Sequence, residues 1–230
     1  MKKLTVISDP SKNRLYFTVA GKITKKELGS FYTDIRFCVD ELKPGFNVIS
    51  DFSECQLVFL NIIPTFRKIM SFLITNRAGE MIGIMYKNSL FFKQIQLATI
   101  FQGYRPIYVS SLEEAEKKLA DLTQRNGLRF NFHRKKVDYL INNVEGKGFI
   151  LNISTSGCAV KQASTQPSVD AEIQIIITLT TQNKSQEIFT IKAKVIRVEE
   201  NSFAAEFTDL DNSRKEQLWE YLVDESHCEI

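Results

Sequence analysis

Arg125 and Arg129 stand four positions apart, and Asn152, Ser154 and Gly157 follow in the pattern Asn-x-Ser-x-x-Gly. A guanidinium is permanently charged, donates paired hydrogen bonds to phosphate oxygens or to the O6/N7 edge of guanine, and stacks on a purine face; an ammonium does none of these as well. Two of them on a short, loosely turned segment relaxed by Gly127 can close on a flat anion from two sides. Asn152 and Ser154, two apart at a strand end, are expected to share one face. Their amide and hydroxyl both donate and accept, and Gly157 is expected to take a positive φ that lets the chain turn beneath a planar ligand.

Neither motif is specific alone, since four-residue arginine spacings are common by chance. Their order, with Arg129 lying 23 positions before Asn152 and a strand pattern between them, makes the pair specific. Charge agrees. The chain holds 30 Lys+Arg and 27 Asp+Glu for a net +3, yet the stretch from Arg125 to Lys136 carries Arg125, Arg129, Arg134, Lys135 and Lys136 without an acid. A compact basic spot suits a local anion site, whereas a duplex reader shows a broad basic face. Lys135 and Lys136 read as a solvated face. Pairing Arg129 with Arg134 is the alternative clamp, and salt-sensitive nucleic-acid binding by the whole cluster is the alternative use.

The elements that hold these residues come in two styles. Leu4 to Ser8 and Leu15 to Ala20 are short β-rich runs around the turn-forming Asp9-Pro-Ser-Lys-Asn13. Thr24-Lys-Lys-Glu27 is a capping box before an apolar stripe at Leu28, Phe31, Ile35, Val39 and Leu42. Strands at Phe46 to Ser50, Met81 to Tyr86 and Pro106 to Ser110 alternate with helices opened by Pro64, around Phe91 to Ala98, and capped by Ser111 to Glu114. The order is ββαβαβαβα over residues 1–122, and the polar stretch Asp121 to Asn126 marks the boundary.

From there the helical period gives way to alternation at Val137, Tyr139 and Ile141, at Phe149 and Leu151, at Ile173 to Leu179, at Ile191 to Val195, and at Phe203 to Phe207. Short strands at this spacing predict a small β-barrel or sandwich over residues 123–230. Ser213-Arg-Lys-Glu216 is expected to cap a terminal helix carrying Leu218, Trp219 and Leu222.

On these motifs the second half resembles the PilZ domains, receptors for the bacterial second messenger cyclic di-GMP. The resemblance implies a closed barrel with a C-terminal helix, and ligand contacts at Arg125, Arg129, Asn152, Ser154 and Gly157. Many PilZ domains begin this motif with two adjacent arginines, and here the first of those positions is Gln124, a departure that favours a single bound ligand or none. The element order of the first half resembles the STAS-like domains related to SpoIIAA, which implies an α/β protein-docking or sensing module. Where phosphorylated relatives open a helix with Ser, this chain has Leu60 to Thr65, and Thr65 reads as a helix-start residue.

Other chemistries find little support. GxSxG, HExxH, P-loop and GxGxxG patterns are absent, and with two histidines a His-based catalytic site has few candidates, so no enzyme is expected. Cys38, Cys55, Cys158 and Cys228 lack metal spacing, and no cofactor beyond the dinucleotide ligand is implied. With no long apolar run and an N-terminal apolar stretch ended by Asp9-Pro10, a cytoplasmic bacterial protein with an unidentified protein partner is the expectation.

Overall fold

The computed structural model describes residues 4–56, 62–86, 107–122, 128–132 and 134–228. They divide into two compact units, Met1–Leu128 and Arg129–Ile230.

The first unit holds a five-stranded sheet in the order β1 (Leu4–Asp9), β2 (Arg14–Val19), β3 (Asn47–Asp51), β4 (Met81–Ile84) and β5 (Ile107–Val109). The β1–β2 hairpin is antiparallel, and β2 through β5 run parallel. Parallel neighbours need crossovers, supplied here by α1 (Lys25–Asp40) between β2 and β3 and α2 (Ile63–Thr75) between β3 and β4. The Thr24 box forms as expected: Glu27 N–H donates to Thr24 Oγ1 at 3.2 Å, and Thr24 N–H to Glu27 Oε2 at 2.8 Å. Leu28, Phe31, Ile35 and Val39 of α1 are all buried. The helix expected around Phe91 to Ala98 lies outside the described residues.

Strand alternation divides this sheet's apolar residues between two faces. Phe17 turns to α1, meeting Phe31 edge-on at 5.7 Å, while Ile49, Ile82, Ile84 and Val109 meet Ala115 and Leu119 of α3 (Leu112–Leu122). Each fully buried side chain of this kind contributes about 1.5–3 kcal/mol. At the margin of the second face, Arg14 reaches the Glu116 carboxylate and donates to Tyr16 Oη at 3.1 Å, and Tyr16 Oη donates to Glu116 Oε1 at 2.9 Å.

The second unit is a closed six-stranded barrel in the order β10-β11-β8-β7-β6-β9. Its strands are β6 (Lys136–Ile141), β7 (Val144–Ile153), β8 (Gly157–Lys161), β9 (Glu172–Thr180), β10 (Gln186–Glu199) and β11 (Ser202–Phe207). Closure leaves no free sheet edge, and the expected alternations fill the interior: Ile173, Ile175, Ile177 and Leu179 are all buried, as are Ile191, Ala193, Val195, Phe203 and Ala205. The β7 phase differs from expectation. Gly146, Gly148 and Ile150 face inward, Ile150 opposite Val160, so glycines carry much of the inner row, and Leu151, 44% exposed, lies at a bulge between Ile150 and Asn152.

The terminal helix α4 (Asn212–Cys228) packs on the barrel through Leu218 and Leu222, with Trp219 edge-on to Phe130 at 5.4 Å. Its cap is Asp211, not Ser213: Arg214 N–H donates to Asp211 Oδ1 at 2.7 Å, and Lys215 N–H to Asp211 O at 2.9 Å. Asp serves an N-cap as well as Ser, and the start lies two residues earlier than the Ser213 box implies. Lys135 is not on a solvated face either. It pairs with the buried Glu225 of α4, whose other oxygen accepts from Thr180 N–H at 2.5 Å.

Candidate ligand-binding site

The chain entering the barrel lies antiparallel to the end of β7. Phe130 N–H donates to Ile153 O at 2.8 Å, and Ile153 N–H returns a bond to Phe130 O at 2.9 Å. Phe130 is fully buried against Trp219, so this bridge is fixed by core packing as well as by hydrogen bonds. Neighbours of a bridged residue face the other way, so Arg129 is turned outward beside Asn152. Arg129 Nη1 donates to Asn152 Oδ1 at 3.4 Å, with Arg129 exposed and Asn152 half-buried. The two motifs, 23 positions apart in sequence, thus meet through a long, weak bond between side chains.

The rest of the Asn-x-Ser-x-x-Gly run builds the turn from β7 to β8. Ser154 N–H donates to Gly157 O at 2.9 Å, and Ser154 Oγ accepts from Ser156 N–H at 3.3 Å while lying 3.1 Å from Ser156 Oγ. Ser154 is only 2% exposed. It is therefore not level with Asn152 on an open face: β7 ends at Ile153, so the period-two expectation stops short of Ser154, and the hydroxyl stitches the turn. Ser156 went unnoticed in the sequence, although a serine two after Ser is itself a turn signal.

Gly157 is required for a different reason than expected. Its φ is not in the left-handed region, and a Cβ there would lie 2.5 Å from Ala205 O. The residue is small because β11 passes against it, so the turn and β8 seat flush on the barrel wall. Inside that wall, burial pushes the Cys158 thiol up to about 12, with the Arg129 charge opposing. The inward Cys158 thus lies within reach of the Arg129 field, while its own thiol is held neutral.

Arg134 is exposed in the bend before β6, and the hydrogen bond to Asn152 comes from Arg129. Gln124 and Arg125 lie outside the described residues. Among the described residues no cluster of His, Cys, Asp and Glu has metal-binding geometry, and no helix is long and apolar enough to cross a membrane.

The second unit is thus a small closed β-barrel domain that turns a guanidinium and an amide outward at one strand end, beside an internally bonded turn. Residues 123–224 match the family model of the PilZ domain, and they form a PilZ domain. Solved structures similar to the chain include the PilZ domain of CeSA from a cellulose synthesizing bacterium, 20% identical over 41% of this chain and 93% of that one, with a TM-score of 0.32. The Bacillus subtilis inhibitor of motility (MotI/DgrA) is 19% identical over 41% of this chain and 47% of that one, with a TM-score of 0.36. The Borreliella burgdorferi PlzA protein in complex with c-di-GMP is 12% identical over 49% of this chain and 48% of that one, with a TM-score of 0.32. At such identities and scores these likenesses add nothing to the family match. No curated protein matches the chain.

Proposed function

We propose that this chain is a non-enzymatic receptor for cyclic di-GMP, held by Arg125, Arg129, Asn152 and the Ser154–Gly157 turn. The observation that carries the reading is the Phe130–Ile153 bridge, beside which Arg129 meets Asn152 at 3.4 Å. That bond is at the limit of hydrogen-bond length and joins an exposed cation to a neutral amide, so a phosphate or guanine edge can replace it at small cost. Ser154 and Gly157 contribute by shaping the turn; ligand contacts there come from its outward groups.

The signal passes through position in the chain. Arg129 opens the second unit and Arg125 precedes that division in sequence, so a ligand clamped by both restricts the passage from one unit to the other and changes what the first unit presents. The first unit, read as STAS-like from its element order, serves in this account as the protein-docking half, in a cytoplasmic bacterial setting. Titration calorimetry with cyclic di-GMP on wild type, Arg125→Ala and Arg129→Ala tests the site: binding is expected for the wild type and is lost or much weakened in both variants. Binding that survives both substitutions removes the assignment. Ligand at 100 times its Kd is expected to stabilise the fold by about 2.7 kcal/mol, readable as a thermal shift.

A further inference from the structure

The chain that leads from Arg129 into the barrel is fastened to β7 at two points that bracket Asn152. Phe130 exchanges both backbone bonds with Ile153, and Lys135 O accepts from Ile150 N–H at 2.8 Å. Between these points β7 bulges and its ladder to β8 shifts register, so the two fastenings hold the stretch that carries Asn152 where strand pairing is interrupted. Arg129 adjoins the first fastening and meets Asn152 there.

Helix α4 backs both fastenings. The Trp219 ring stands edge-on to Phe130 at 5.4 Å, and Phe130 in turn stacks on Phe132 at 6.4 Å. Six residues further along the helix, about 9 Å, Glu225 pairs with the Lys135 ammonium. Glu225 falls on the stripe of Leu218 and Leu222, at the spacing i, i+4 and i+7, and is 6% exposed where an apolar residue is the ordinary occupant. Burying a carboxylate carries a desolvation cost that pairing offsets only in part, so apolar side chains of like volume at both positions serve stability as well or better. What the pair adds is register. One carboxylate oxygen is committed to Lys135 and the other to Thr180 N–H, which gives the helix one place to sit against the chain entering the barrel.

We infer that Trp219 and Glu225 of α4 are positioning residues for the cyclic-dinucleotide site, acting through Phe130 and Lys135 to fix where Arg129 stands relative to Asn152. The inference rests on the receptor reading above.

The test is calorimetry of cyclic di-GMP on the full chain, run below the melting transition of every variant. A residue that only holds the fold together leaves the affinity of the folded chain unchanged; a positioning residue does not. Lys135→Met/Glu225→Gln keeps an acceptor for Thr180 N–H and is expected to bind about fivefold more weakly than wild type. Trp219→Leu loses a similar factor, and Trp219→Phe, which keeps a ring against Phe130, recovers most of it. Tyr139→Phe removes a bond to Thr165 O elsewhere in the barrel, so it lowers the melting temperature and binds as wild type. Combined with Arg129→Ala, the Lys135→Met/Glu225→Gln loss shrinks, because the side chain being positioned is gone. Wild-type affinity in either folded probe, alongside loss in Arg129→Ala, overturns the role of the residues it changes and leaves the receptor reading standing. An undiminished loss in the Arg129→Ala background overturns positioning of Arg129 in the same way. A wild-type chain that does not bind overturns both. Each probe is decisive whether or not the other folds.

Discussion

Arg14 in the first unit and Arg129 in the second both sit at strand margins, yet their surroundings are opposite. The Arg14 side chain is 13% exposed and lies against the Glu116 carboxylate, with the Tyr16 ring 5.9 Å from its guanidinium. Arg129 is exposed, and its bond to Asn152 runs to a neutral amide at 3.4 Å. A carboxylate partner and a buried stem make an arginine part of the fold. A long bond to a neutral amide at the surface is one that an incoming anion can exchange. Burial and partner charge, more than spacing, tell the two roles apart.

The largest break in this comparison is expected from Arg14→Ala. Truncating one member of a buried pair costs about 3–5 kcal/mol, and the 38% exposure of Glu116 brings the expectation to about 3 kcal/mol of stability. Urea unfolding followed by circular dichroism measures it, and cyclic di-GMP affinity stays at the wild-type level. Gly157→Ala comes next: its Cβ meets Ala205 O at 2.5 Å, and overpacking against backbone costs about 2 kcal/mol. The Trp219 fluorescence midpoint reports that loss. Arg129→Ala is the mirror of Arg14→Ala. It removes about 1.5 kcal/mol of binding, roughly tenfold in Kd, and shifts stability by under about 0.5 kcal/mol.

The smallest effect is a pH dependence of the first unit. Partial burial favours the neutral Glu116 carboxyl, but hydrogen bonds from Arg14 and Tyr16 outweigh it and hold the group below its ordinary value of 4.5. A depressed carboxyl stabilises the fold above its unfolded value, and that contribution is lost as pH falls through the folded one. Acid unfolding of Glu116→Gln is therefore expected to show a shallower loss of stability below about pH 4.5 than wild type.

The same contrast explains what the sequence made legible. Alternation at Ile173 to Leu179 and at Phe203 to Phe207, and the Thr24 capping box, each encode one local period or one local hydrogen-bond pair, and the structure repeats them. Leu151 defeated the pattern because the inner row of β7 runs through Gly146, Gly148 and Ile150, whose glycines show no apolar period, and Ser154 because it lies past the strand end at Ile153. Gly157 was legible as a glycine and illegible in purpose, since the close approach comes from β11, almost fifty residues on. The Lys135–Glu225 pair was hidden for the same reason: it joins the entrance of the barrel to the last helix. Arg129 beside Asn152 was the long-range contact that could be read, because two motifs in fixed order imply it. The described elements of the first half follow the order read from the sequence, but no motif there points to a ligand.

The central claim is that Arg129 and Asn152 act on one ligand. A double-mutant cycle on cyclic di-GMP affinity, using Arg129→Ala, Asn152→Ala and the double variant, tests it most directly. Shared use of the ligand predicts non-additive losses, with a coupling of about 0.5 kcal/mol or more. Strictly additive losses, or an Asn152→Ala chain that binds as wild type, contradict it.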